Sequence, residues 1–498
     1  MNVTFGLWAD GGAWPPHGGA GSGSLGEPVV GPAGLLELLE TVLGRSAPHV
    51  AAVERTATWQ AKLEASDDGG RFWSRSLEAD GWATARLLLQ WRDELVAAGW
   101  DARLEYREQR LAHLSDAERA GPTLPAGPQD RLQNVERALR EEAPVSDAIA
   151  QVRLVERRGD LPPSWRRVLA ALEAAGVPVN AIEPAPAADA GTSLGRVQRW
   201  LQHGDEAALD GEADGTVEIA TSSSALLGGE LVAQWLQASP TRDDTVLLTP
   251  DGSGGVLDRA MLRRARPRLG TGGRSTYRGS LQVLLLAFQI AWRPLDVRAL
   301  MDLLVLEDGP LPPRAAHRLA GALEQAPGVA SLEWHEAWQR LEARELERAE
   351  HEGDTRQARS RLEAWRAWVE PESADPDEGM PAGAATAICD RVEAWAWARH
   401  HATFEALYPA TARAASDVRA ALRALDRTHY PKRLLDRVID QALAEGEGDP
   451  DVLAEAGSPH AVTHPGAIWG PAGAVVWWDW RNMDERPRTH ALERGGAP

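Results

Sequence analysis

The sequence predicts an α/β protein of two parallel-sheet units interrupted by large helical insertions. Three observations carry this. Short apolar runs that end in polar loops and feed amphipathic helices recur at the start of the chain, near residue 150 and across residues 216–262. From about Ser280 to Gly446 the text turns wholly helical. Strand text then returns as AVVWWDW at residues 474–480, so the helical block reads as inserted in the second α/β unit rather than appended to it. With 498 residues, 43% hydrophobic composition and 21 Trp, the chain is long for one core and apolar enough to fold without metal or disulfide support.

The elements follow in order. NVTFGLWADGG opens as a short strand running into glycine, and VVGPAGLLELLETVLG reads as a strand and an amphipathic helix. GRFWSRSLEADGWATARLLLQWRDELVAAGWD predicts a strand and a long helix, with Trp82, Leu89 and Leu95 near helical spacing. Residues of about 101–148 are charged, helical and broken by GPTLPAGP, as in a helical insertion. QVRLVERRGDLPPSWRRVLAALEAAGVPVNAIEP is strand, loop, helix and strand, and Ala/Pro/Asp text at 184–191 closes a first domain of residues 1–190. A second domain, residues 191–280 and 456–498, holds TVEIATSSSALLGGELVAQWLQ and DTVLLTPDGSGGVLDRAMLRRARP, each expected to be a strand, a polar loop and a helix. The insertion, 281–455, carries Trp334, Trp338, Trp365 and Trp368 at spacings of three or four that suit a helix-bundle core. No fixed-period repeat is present.

Composition excludes several functions. The only lysines are Lys62 in TWQAKLEA and Lys432 in HYPKRLL, and neither follows a glycine loop, so no P-loop can reach nucleotide phosphates. Gln60 and Tyr430 stand two residues before them, where a PD-(D/E)XK nuclease centre needs an acid. The Gly18–Gly26 loop has the look of a phosphate cradle without its lysine and reads as a surface loop. A single cysteine, Cys389, forms no internal disulfide or four-cysteine cluster. The absence of an 18-residue apolar run or a leader points to a cytoplasmic chain without membrane contact. A net charge of −20 means that nucleic acid, if bound, must meet local arginine clusters.

GPAGLLELLETVLG, GGRFWSRSLEAD with ELVAAGWD, LPPSWRRVLAALEAAGV, GSLQVLLLAFQIAWRPLDVRALMDLLVL and HPGAIWGPAGAVVWWDW together resemble the helicase-like part of bacterial AddB-type helicase/nuclease B subunits. The likeness lies in segment order and phrases over nearly the whole chain. It implies a superfamily 1 helicase fold of two RecA-like domains with helical insertions, a UvrD/RecB-like motor as partner, and DNA double-strand ends as substrate in recombinational repair. Two departures from that family matter. A Walker B acid pair is missing after QVRLVE, where Arg157, Arg158, Gly159 and Asp160 stand, and HALERGGAP ends the sequence where relatives continue into a nuclease. The resemblance therefore implies a non-hydrolysing, helicase-like DNA-binding subunit that needs no cofactor of its own. Its alternatives are the N-terminal part of an exonuclease subunit whose nuclease lies beyond residue 498, and an α/β scaffold without DNA.

The candidate DNA-binding residues are Arg263, Arg264, Arg266 and Arg268 in RRARPR, then Arg274 and Arg278 among Gly, Ser and Thr. Guanidinium groups in a loop suit phosphate oxygens, and equally suit neighbouring carboxylates in an acidic protein. Thr221, Ser222, Ser223 and Ser224 precede a helix, where hydroxyls bind phosphate or, more commonly, cap the helix. Trp477, Trp478 and Trp480 read as core, with base stacking as the alternative. His400 with His401, and His460 with His464, lack the converging ligands of a metal site. No nucleophile elbow of the GxSxG kind is present, and no catalytic residue is assigned.

Overall fold

The computed structural model describes residues 1–15, 26–46, 48, 50–103, 106–141, 145–183, 188–204, 210–238, 244–250, 254–448 and 452–480. The chain divides into two compact units: an α/β unit of residues 1–46, 135–273 and 451–498, and a helical unit of residues 47–134 and 274–450. Elements are numbered in chain order.

The first sheet of the α/β unit is parallel, in the order β2-β1-β3-β4, from β1 (Asn2–Phe5), β2 (Val29–Val30), β3 (Gln151–Leu154) and β4 (Val179–Ala181). Helix α1 (Pro32–Val42) starts on a proline, whose fixed φ suits the first helical turn, and buries Leu35, Leu36 and Leu39. Helix α7 (Pro163–Ala174) starts the same way and buries Trp165, Val168, Leu169 and Leu172 at helical spacing. The Trp165 ring lies 4.9 Å from that of Phe5 on β1.

The second sheet, β8-β5-β9, is also parallel, from β5 (Thr245–Leu248), β8 (His460–Val462) and β9 (Ala474–Trp477). Val246 pairs with His460 on one side and Val475 on the other, so this sheet joins chain from both sides of the long helical stretch. Helices α9 (Ala225–Ala238) and α10 (Gly254–Arg263) cover one face, where Ala233, Leu236, Leu257 and Met261 pack with Leu247 and Trp478. Trp14, Val462 and Ala467 cover the other face over Val246 and Leu248. Burial on both faces explains why β5 runs Val246, Leu247 and Leu248 without alternation after Thr245. Helix α8 (Ser193–His203) is capped by the Thr192 hydroxyl, which accepts from Gly195 N–H at 3.1 Å.

Two expected strands do not form. TVEIA, residues 216–220, is irregular, with Val217 39% and Ile219 78% exposed. Asp214 accepts from both the backbone N–H and the hydroxyl of Thr216, and from Ser193 N–H, so a local turn takes the donors at the start of that run. The GRFW segment is a turn leading into α3 (Ser74–Ala79), because Trp73 is drawn into a core with Trp59, Leu63 and Leu88.

The helical unit begins with α2 (Ala52–Ser66), α3, α4 (Gly81–Ala98) and α5 (Gln109–Arg119); α6 (Pro128–Glu141) crosses the boundary between units. It resumes with α11 (Gly279–Gln289), α12 (Val297–Val305), α13 (Pro313–Gln325), α14 (Leu332–Glu352) and α15 (Thr355–Val369). Helices α16 (Ala382–Thr403), α17 (Leu407–Leu425) and α18 (Lys432–Leu443) complete it, with a short antiparallel pair, β6 (Met380–Pro381) and β7 (His429–Tyr430). The expectation of residues 101–148 as an insertion in the first domain meets a different grouping here. Val53 and Ala57 of α2 and Trp82 of α4 share one core with Leu284, Phe288, Val418, Leu422 and Val438, so residues 47–134 pack with 274–450. Trp334, Trp338 and Trp368 are buried in that core, as their spacing predicts, and Trp365 packs partly buried against it.

Candidate functional site

Parallel strands direct the loops at their carboxyl ends toward a common crevice, where α/β proteins hold ligands. In the α/β unit the loop after β1 runs into the second sheet. Trp14 N–H donates to the Ala467 carbonyl at 2.8 Å, and the Trp14 carbonyl accepts from Trp469 at 3.2 Å and Gly470 at 3.0 Å. Its indole Nε1 donates to the Pro471 carbonyl at 2.9 Å while the ring, 4% exposed, fills the core beneath β5. In the same loop Trp8 stacks on His464, with ring centroids 3.5 Å apart and planes at 16°. Two glycines permit this contact: a Cβ on Gly466 would lie 2.4 Å from the Trp8 ring, and one on Gly11 would lie 2.7 Å from Thr463 Oγ1.

The N-terminus of α1 is the local anion site, since free amides and the helix dipole converge there. Asp10 occupies it. Ala33 N–H donates to Asp10 Oδ2 at 2.8 Å and Gly34 N–H to Oδ1 at 3.1 Å, while Pro32 has no N–H to offer. Gly31 allows the approach, because a Cβ there would sit 2.3 Å from Asp10 Cγ. Of the glycine loop, residues 18–25 lie outside the described residues, and Gly26 is left-handed at φ +81°.

Glu156, just beyond β3, is a carboxylate at the crevice that the sequence does not single out. Its two carboxylate oxygens accept from Leu7 N–H at 3.0 and 3.1 Å, and burial raises its pKa above the usual carboxylate range. The signal for it is an acid two residues after the last buried residue of β3, Leu154. His460 packs on Trp14 at 5.4 Å, and His464 Nδ1 accepts from Gly466 N–H at 3.0 Å. Burial lowers the pKa of both histidines, which favours neutral rings against the tryptophans.

Both lysines belong to the helical unit. Lys62, 3% exposed in the helical unit, donates to the carbonyls of Ala120 at 2.8 Å and Pro122 at 3.0 Å, and burial lowers its pKa. Lys432 lies 6.0 Å over the Trp292 ring.

The arginine stretch is divided between the two units. In the α/β unit Arg263 and Arg264 converge on one carboxylate, Glu230, at 2.7 and 3.1 Å. Arg268 N–H donates to Glu455 Oε2 at 3.0 Å, with its guanidinium 3.6 Å from Oε1. Arg266 has no ion-pair partner among the described residues. In the helical unit Arg274 approaches the exposed Glu445 at 3.5 Å, Arg278 Nε donates to the Glu447 carbonyl at 3.4 Å, and Tyr277 between them is 84% exposed.

Thr221, Ser222, Ser223 and Ser224 form an exposed turn before α9. Ser224 Oγ accepts from Leu227 N–H at 3.3 Å, and Ser222 Oγ donates to the Ser224 carbonyl at 2.8 Å, so these two hydroxyls serve the helix start. Of the three C-terminal tryptophans only Trp478 is core, packed against Gly228 of α9. Trp477 and Trp480 are 42% and 66% exposed and meet edge to face at 6.3 Å, because β9 is an edge strand and alternation turns Trp477 outward. His400 and His401 pack beside Trp397 at the end of α16, at 5.9 and 6.3 Å. Among the described residues no helix is long and apolar enough to cross a membrane. No protein-family model matches this chain, and no curated protein matches it.

Proposed function

We propose that this chain is a non-hydrolysing, helicase-like DNA-binding subunit that works beside a UvrD/RecB-like motor at DNA double-strand ends, its two parallel sheets corresponding to RecA-like halves. The observation that carries the nucleotide part of this reading is Asp10. A carboxylate bonded to Ala33 and Gly34 holds the slot at the start of α1 where a triphosphate would need free amides, and it would repel a phosphate brought there. Support for the DNA part comes from Arg266, from the exposed Arg274 and Tyr277, and from Trp477 and Trp480, groups suited to phosphates and to base faces.

A scaffold without DNA is the second reading, and the pairing of Arg263, Arg264 and Arg268 with Glu230 and Glu455 favours it. Anisotropy of a labelled, tailed duplex separates the two. The DNA reading expects binding at low salt whose logarithm falls linearly with the logarithm of salt concentration, with no DNA-stimulated ATP turnover. Silence of the probe at low salt selects the scaffold, and robust ATP turnover by the purified chain removes the non-hydrolysing assignment.

A further inference from the structure

The helical unit contains a cleft of about 270 Å³ between the end of α11, the start of α14 and the end of α15. Its apolar walls include Ile290, Val329, Val369 and the rings of Trp292 and Trp338. Against these walls stand Arg293, Arg366 and His335, with Glu370 as the acid among the lining residues.

Each guanidinium is tethered by its Nε. Arg293 Nε donates to Ser373 Oγ at 2.7 Å, and Arg366 Nε lies 3.5 Å from Glu370 Oε2. Their terminal nitrogens have no partner among the described residues, so two planar forks remain for a ligand. Arg366 is further held 5.0 Å over the Trp338 ring, which orients its fork. Glu370 is already engaged by Trp334 Nε1 at 2.6 Å and by Arg366, which blunts its repulsion of an incoming anion. His335, also among the lining residues, is held through Nδ1, which is bonded to the Ser331 carbonyl at 2.7 Å. Trp338, only 5% exposed, contributes an aromatic wall to the cleft and a fixed support for the Arg366 guanidinium.

We propose that this cleft is a binding site for a small organic anion: one carboxylate or phosphate group, gripped by Arg293 and Arg366, on a flat apolar body lying against Trp292 and Trp338. The excess of cationic over acidic groups is local and opposes the net charge of −20, so it is a feature of the cleft rather than of the surface at large. The site is independent of the DNA reading.

Isothermal titration of the full chain with adenosine 5′-monophosphate and with 2-naphthoate tests the proposal, adenosine and naphthalene-2-methanol being the neutral counterparts. The two anions separate a phosphate-borne from a carboxylate-borne ligand. The expected result is saturable binding of at least one anion, no binding of its neutral counterpart, and about a tenfold weakening in each of Arg293→Gln and Arg366→Gln. Circular dichroism melts confirm that both variants are folded. A Trp338→Phe variant, which narrows the aromatic wall under Arg366, weakens binding by a smaller factor. Absence of binding by both anions, or affinity unchanged in both arginine variants, overturns the assignment.

Discussion

The buried arginines of α2 and α4 and the arginines at the end of α10 are used in opposite ways. Arg55 and Arg92, each 6% exposed, share three acids: Arg55 takes Asp93 at 2.6 and 2.9 Å, and Arg92 takes Glu118 at 3.1 and 2.9 Å, with both reaching Asp130. Burial works against the Arg92 charge, but hydrogen bonds to Glu118 and Asp130 outweigh it and raise its pKa. Arg263 and Arg264 instead share one acid, Glu230, at the rim of the fold. Where acids outnumber guanidiniums the arginine is spent on holding helices together; where guanidiniums outnumber acids, positive charge is left over for a partner.

The largest test of that contrast is Arg92→Ala. It removes the guanidinium from Glu118 and leaves Asp130 to Arg55 alone, and should cost about 3–5 kcal/mol in denaturant unfolding; a loss below about 1 kcal/mol would mean that water screens the network. A smaller loss, about 1 kcal/mol, is expected for Asp10→Ala, which uncaps α1, with Asp10→Asn retaining part of the bond. Stability should also depend on pH through His460 and His464. Their folded pKa values lie below the ordinary 6.5, so the unfolded chain takes up protons first and stability falls as pH drops below about 6.5. A double His→Gln variant should flatten that fall, and an unchanged pH profile would show that the rings titrate freely. Smallest in stability is the triple change of Arg266, Arg274 and Arg278 to Ala, expected within about 0.5 kcal/mol of the parent. Its DNA salt slope should drop by roughly one unit for each phosphate that is no longer neutralised. An unchanged slope would assign those arginines to charge balance.

What the sequence discloses follows from how far each interaction reaches along the chain. Val3 with Phe5, Val152 with Leu154, and the leucines of α1 announce their elements because their partners lie within a few residues in a fixed period. Val217 and Ile219 alternate just as well, yet a strand also needs a neighbour, and the turn pinned by Asp214 supplies none. The tryptophans at 477, 478 and 480 are legible as one apolar run, but β9 ends at Trp477, and the turn after it, in which Trp478 is buried and Trp480 exposed, is not legible. The arginine partners stay hidden for the same reason: Glu230 stands 34 residues from Arg264, and Glu455 stands 187 from Arg268. Asp10 caps a helix 23 residues on, beyond the three-residue window in which capping is read.

Trp14 also sets how often the two sheets of the α/β unit can part. Separation must draw a buried indole from beneath β5 and break its bonds to Ala467 and Pro471. If extracting the ring alone costs about 3 kcal/mol, roughly one molecule in 150 is parted at any moment. A ligand that requires the parted form would bind with its affinity reduced by that same factor, and a Trp14→Ala chain would return most of it.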